Sequence, residues 1–394
     1  MSENATKSLE LAKASTEVVQ AFVQVKDAMS VIESFSKLAS AAGAVGAIFG
    51  VAAAIVKLCM GNVDSAELKY MKEQFQIVRN QLDVISDQIH EVLRAINQST
   101  AQNQYFPIEE NLKNQFREYM ELLNTAPEFR ESKKQDFLSH FTVTKGDQNL
   151  HTLYDAVMGY PGIFGKPILE TAMQYHQKNR RLMERLCSRL KELFCIGLIA
   201  TMGQAALTGI DVEALKKEWN GKLGELESKM KSIIDQCINE FANQAKIDVE
   251  SMIRDKGGRN NGDCSLYIRD NLMKKYDWVF WSVRVYDPVA GFDNHCIVNS
   301  QYFHFFRLNG VNAVVSYAID PKALNEAQIK QLMEGKDGWK DAREVAVSVA
   351  NNLPSGYVVH AVRRYNGLWN SNSFPQNCHF WENYKGVTLC VTSI

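Results

Sequence analysis

Through most of the first 255 positions apolar residues recur at three- and four-residue steps, the spacing that gathers them on one side of an α-helix. Leu11, Val18, Phe22, Val25, Met29, Ile32 and Phe35 mark the first stripe, and GNVD at 61–64 supplies a stop and a cap before the next. The rhythm is most regular at Leu68, Met71, Phe75, Val78, Leu82, Ile85, Ile89, Val92 and Ile96. That heptad seam predicts one long helix in a coiled-coil-like hairpin. Residues 97–107 are polar and glutamine-rich and read as a loop, short helices are expected over 108–124 and 132–141, and the glycines and prolines of 142–167 predict an irregular connection. A helical region spans 168–209. A further helix then runs from a cap at Asp211 to about Arg254, with Leu223, Leu226, Met230, Ile233, Cys237 and Phe241 on one stripe.

Residues 256–263 are dense in glycine and asparagine, carry no apolar side chain and read as a linker. Beyond it, β-branched and aromatic runs predict strands over 278–286, 313–319, 357–365 and 387–392, with helices over 325–335 and 339–353. The expected fold class is mostly α: a long-helix bundle with a coiled-coil-like hairpin over 1–255, then a small aromatic-rich α+β domain over 264–394.

One segment breaks the amphipathic rule. Residues 38–56, LASAAGAVGAIFGVAAAIV, hold no charge and are flanked by Lys37 and Lys57. As a helix the segment is about 28 Å long, close to the thickness of a bilayer's hydrocarbon. Ala42, Gly46, Gly50 and Ala54 lie four apart, a spacing that admits another backbone, with Gly43 beside them and Ile48, Phe49, Val51 and Ile55 as the bulky members. Its glycines are costly in a helix, yet its alanines make it too weakly hydrophobic for permanent residence in lipid. The expectation is storage inside a soluble bundle with release into a membrane. A second uncharged run, 193–209, is read as a buried helix–helix contact whose Gly197 and Gly203 face the first segment.

A formal net charge of -1 argues against nucleic acid as a partner, and 46% hydrophobic with 23% charged residues is an ordinary globular composition. The GAVG at 43–46 follows no strand and lacks the nucleotide-binding spacing, and no GxxxxGK[ST], HExxH or GxSxG occurs. No catalytic, cofactor-binding or metal residue is therefore expected. His295, Cys296, His304, His360, Cys378 and His379 fit no zinc rhythm. Cys264, Cys296, Cys378 and Cys390 cluster in the last third, where pairing stays open. Arg363, Arg364, Trp369, Trp381 and Tyr384 make a candidate targeting face for a glycan, lipid headgroup or protein. The amino terminus shows no basic-plus-apolar signal, so the resting protein is expected in the cytoplasm, or released without a classical signal.

LYDAVMG at 153–159, FGKPILE at 164–170, LFCIGLIATMG at 193–203, DWVFWSVRVYD at 277–287 and FPQNCHFWENYKGVTLCV at 374–391 resemble the rapunzel and cephalotoxin-like proteins, from about residue 30 onward. The resemblance implies two themes, cephalopod venom or salivary toxins and fish skeletal and fin development, with a more remote likeness to jellyfish toxins and helical pore-forming domains. It brings no catalytic residue to carry across. Two functions are consequently expected in competition. One is a non-enzymatic, pore-forming-toxin-like protein with lipid and copies of itself as partners; the other is an intracellular helical scaffold acting in development.

Overall fold

A computed structural model describes residues 99–160, 167–363 and 367–394, together with 56, 57, 59–61, 69, 72, 73 and 76. The insertion segment at Ala42, Gly43, Gly46, Ile48, Phe49, Gly50, Val51, Ala54 and Ile55, and the seam at Leu68, Met71, Phe75, Val78, Leu82, Ile85, Ile89, Val92 and Ile96, lie outside the described residues. The chain divides into two compact units, Met1–Asn239 and Glu240–Ile394.

The first unit is helical: α1 Ser99–Asn124, α2 Arg130–Val143, α3 Gln148–Met158, α4 Ile168–Tyr175, α5 Arg180–Thr208 and α6 Val212–Asn239. Two expectations fail here. The polar stretch before Pro107 is the first turns of α1 rather than a loop, because the core stripe extends back through Ile108 to a fully buried Tyr105. Proline costs a helix one hydrogen bond, and the packed side carries the helix through it. The presumed irregular connection contains α3, which buries Leu150, Leu153, Tyr154 and Val157. Its glycines punctuate rather than disrupt. Gly159, at φ 83°, ends α3 and donates its N–H to Asp155 O, a left-handed position that favours glycine. The helical region over 168–209 is likewise two helices, parted where Gln177 and Lys178 take positive φ and restarted by the Asn179 side chain accepting from Leu182 N at 3.2 Å.

The helix expected to run to Arg254 stops at Asn239, and the next, α7 Phe241–Arg254, belongs to the second unit. There Phe241, Ala245, Val249 and Ile253 pack with Trp281, Val283 and Val285. The presumed linker is short because its asparagine is a cap: the Asn260 side chain accepts from Asp263 N at 2.8 Å and starts α8 Asn261–Lys275.

Among the described residues eight strands follow: β1 Phe280–Tyr286, β2 His295–Val298, β3 Tyr302–Leu308, β4 Val311–Ala318, β5 Tyr357–Arg363, β6 Trp369–Asn372, β7 His379–Tyr384 and β8 Val387–Ser393, with α9 Glu326–Met333 and α10 Ala342–Asn352 between β4 and β5. They form two four-stranded sheets, ordered β3-β4-β1-β6 and β2-β5-β8-β7, with every pairing antiparallel. The strands predicted from sequence are the four central ones. The four not predicted are the edges, of which β2 and β6 have only four residues each. Helices α7 and α8 cover the outer face of the first sheet, and α9 and α10 cover that of the second.

The bundle rests on two glycines of α5. A Cβ at Gly197 would stand 2.6 Å from Leu150 Cδ2 and 2.8 Å from Leu112 Cδ2, and one at Gly203 would run into the Tyr119 ring. Any larger side chain there must push α1 or α3 outward. Valine at either position is expected to lower bundle stability by about 1–3 kcal/mol, despite the gain in helix propensity. Urea unfolding followed by far-UV circular dichroism checks this, and an unchanged midpoint would contradict the packing.

Candidate functional site

Helix α5 is, among the described residues, the one long and apolar enough to cross a membrane by length and composition, and most of that stretch is buried. Leu193, Phe194, Ile196, Leu198, Ile199, Ala200 and Met202 are all closed off from solvent. Its two glycines receive Leu112, Tyr119 and Leu150 from α1 and α3; the expected contact of these glycines with 38–56 lies outside the described residues. Trp219 of α6 covers another side, with its ring 6.3 Å from Phe194 and 6.5 Å from Tyr154.

The amino-terminal half of α5 is charged and also buried. Arg189 is fully enclosed and donates to Glu109 Oε1 of α1 at 2.5 Å and to Glu192 Oε2 at 3.1 Å. Burial lowers the neighbouring Lys191 ammonium to about 7. It raises the Glu192 carboxyl to about 7, against the opposing pull of Arg189. Removing one partner of a buried ion pair costs about 3–5 kcal/mol, because the remaining charge is left without compensation. The pair therefore fixes α5 to α1 as firmly as the glycines do.

In the second unit the outer faces of both sheets are apolar, and the layer between them is largely polar. Alternation along β1 turns Trp281, Val283 and Val285 outward and Ser282, Arg284 and Tyr286 inward. Cross-strand register places Ser316 beside Ser282, Asn312 beside Tyr286, and Asn370 beside Arg284. The second sheet contributes His295, His360, Thr388, Cys390, Thr392 and His379, again at alternate positions. Tyr286 Oη lies 3.2 Å from His295 Nδ1 and 3.5 Å from His360 Nε2, and the His295 and His304 rings are 5.3 Å apart. At the β6–β7 end, Asn370 Nδ2 meets His379 Nε2 at 3.1 Å and Ser282 Oγ donates to Asn370 Oδ1 at 3.3 Å. There His379, Trp381, Asn372, Gln376 and Lys330 help line an open pocket of about 390 Å³.

Arg284 is the centre of this layer. It is fully buried and donates to Ser316 Oγ, while its Nε and Nη1 have no hydrogen-bond partner among the described residues. The Cys390 thiol beside it is pushed up by burial, so it supplies no counter-charge despite the guanidinium. An uncompensated buried cation costs several kcal/mol.

Sequence reasoning missed the site because alternating Ser, Arg, His and Thr reads as a solvated strand face. A second sheet covers that face here. Of the residues considered for zinc, His295, His304 and His360 do converge, but Cys296 turns to the outer apolar core and Cys378 points its thiol at Pro321 O, 3.7 Å away. No metal-holding group of three or more such side chains occurs among the described residues, and no disulfide joins the cysteines there.

The candidate targeting residues have divergent placements. Arg363 donates to Asn294 Oδ1 at 3.1 Å, to Lys340 O at 2.8 Å and to Trp339 O, and Tyr384 packs against the outer core of the second sheet. Trp369 and Trp381 are open to solvent, on β6 and β7 respectively. Arg364 lies outside the described residues.

The buried histidines make the second unit sensitive to acid. Burial, aided by His295, lowers His304 to about 4, and burial with Arg284 lowers His379 to about 4. Unfolded histidine titrates near 6.5, so between these values the unfolded chain binds more protons and stability falls as pH falls. Each contributes on the order of 2 kcal/mol after allowance for partial exposure. Thermal unfolding from pH 7 to pH 4.5 should show a falling midpoint with a shallower slope in His304→Gln, and equal slopes would refute the assignment.

The chain matches the cephalotoxin-like middle helical domain over residues 61–258, half of its length. It is 40% identical over 209 residues to Protein rapunzel of Danio rerio, an alignment covering 53% of this chain and 92% of that one. No solved structure matches it at a significant level. Helical unit and matched length agree, and the chain belongs to the rapunzel and cephalotoxin-like family.

Proposed function

We propose that the chain is a non-enzymatic, membrane-active protein of the pore-forming-toxin type, whose helical bundle stores apolar helices that can exchange burial in protein for burial in lipid. The observation that carries this reading is α5, a helix of bilayer-spanning length and composition enclosed by α1, α3 and α6. The uncharged segment 38–56 supports it as a second helix of the same kind, and the family's toxin-derived description points the same way. Insertion needs no chemistry, only two states whose balance a membrane shifts. The charges of α5 set its main cost, and a Glu192 carboxyl that titrates near 7 lets mild acid remove one of them. In this reading the partners are membrane lipid and further copies of the chain. The resting protein is cytoplasmic, or released without a classical signal, and the strand-rich unit contacts a glycan or protein.

The intact protein is expected to release dye from anionic liposomes, more at pH 5.5 than at pH 7.5. Gly46→Asp with Gly50→Asp should abolish leakage, and the loss counts only where the circular dichroism spectrum matches that of the parent chain. Absence of leakage across neutral and anionic vesicles at both pH values overturns the proposal. The unbroken heptad rhythm over 68–96 favours a second reading, an intracellular helical scaffold acting in development. Its sign is a crosslinked protein partner lost on Leu82→Asp with no membrane-bound fraction.

A further inference from the structure

We propose that the layer between the two sheets of the second unit binds a small free oxyanion of the phosphate or sulfate class, held chiefly by Arg284. The inference is independent of the role proposed for the bundle. Among the described residues Arg284 is fully buried and has no ion-pair partner; its Nε and Nη1 have no hydrogen-bond partner of good geometry, and the Cys390 thiol beside it is held neutral by burial. Buried charges in folded proteins are paired, so the missing partner is an anion. Buried atoms without a hydrogen-bond partner also occur on the inner faces of other strands, His304 Nε2 of β3, His360 Nδ1 of β5 and Thr392 Oγ1 of β8, and His360 lies close enough to feel the guanidinium charge. A tetrahedral oxyanion offers acceptors in several directions at once, which matches donors arriving from both sheets. The planar guanidinium fork matches two of its oxygens, whereas a metal cation would be repelled.

A chain of polar side chains connects the layer to the surface. His379 and Asn372 line the open pocket at the β6–β7 end. From there His379 leads to Asn370 and Asn370 to Ser282 by hydrogen bonds of 3.1 and 3.3 Å, and Ser282 shares the inner side of β1 with Arg284.

Protonation couples to the anion. The titratable groups facing Arg284 are Tyr286 of β1, His295 of β2, His304 of β3, His360 of β5, His379 of β7 and Cys390 of β8. Burial and the nearby guanidinium hold His360 and His379 neutral, and burial does the same to His295. A bound anion offsets the repulsion between cations here, so acid should tighten binding rather than weaken it.

The test titrates potassium phosphate and sulfate into the full chain at constant ionic strength, against chloride, reading the thermal midpoint and the phosphorus-31 line width at pH 7.5 and 6.0. The expected result is saturable stabilisation by phosphate and sulfate with mutual competition, none by chloride, and affinity about fivefold tighter at pH 6.0. Arg284→Met should abolish saturation. Thr392→Val, which keeps the charge and the side-chain shape, should weaken binding about threefold and stands in where Arg284→Met fails to fold. No saturable effect beyond the chloride control means that water fills the layer and overturns the proposal. Unchanged affinity in Thr392→Val or in a folded Arg284→Met locates the anion elsewhere and overturns it equally.

Discussion

The helical unit depends on how closely α5 approaches α1 and α3, and that distance is set by side chains that are not there. At Gly197 and Gly203 the α5 backbone meets leucine and tyrosine atoms directly. Dispersion falls steeply with separation, so a gap of half an ångström forfeits a sizeable share of each contact. About two turns before Gly197 the same helix carries a fully buried arginine, Arg189, whose partner Glu109 sits on α1. An apolar contact and an ion pair thus address the same neighbour. Neither tolerates a shift that would suit the other, which gives α5 one register against α1.

The strand-rich unit reverses the usual arrangement of a two-sheet fold. Ordinarily the inner faces interdigitate as the apolar core and the outer faces meet water. Here helices take the outer faces, so Trp281, Val283 and Val285 on one side and Val359, Leu389 and Val391 on the other are satisfied by helix-on-sheet packing. Cohesion therefore resides in two outer layers. The middle is relieved of that task and can hold arginine, histidine, serine and threonine, residues poor at cementing a core but well suited to recognising something small and charged.

How much was legible follows from which signals are local. Central strands β1, β4, β5 and β8 were readable because β-branched and aromatic residues dominate them over seven or eight positions. The edge strands were not, since His295 to Val298 and Trp369 to Asn372 are brief and carry mixed side chains. Gly146 and Gly159 were read as breaking the chain, although they bracket α3, because a glycine looks the same whether it ends a helix or prevents one. The apolar character of 193–207 and its burial could be read directly. The identity of its neighbours could not, for nothing in the sequence says that Gly197 meets Leu150 rather than another helix. The polar layer was invisible for the same reason: exposure of a strand face is a property of the other sheet.

The order β2-β5-β8-β7 puts β8 in the interior of its sheet. Loss of β8 therefore does not fray a border. It leaves β5 and β7 facing each other across an empty slot, each with a row of backbone donors and acceptors exposed. Such a product is a template for strand exchange with any chain that offers a β8.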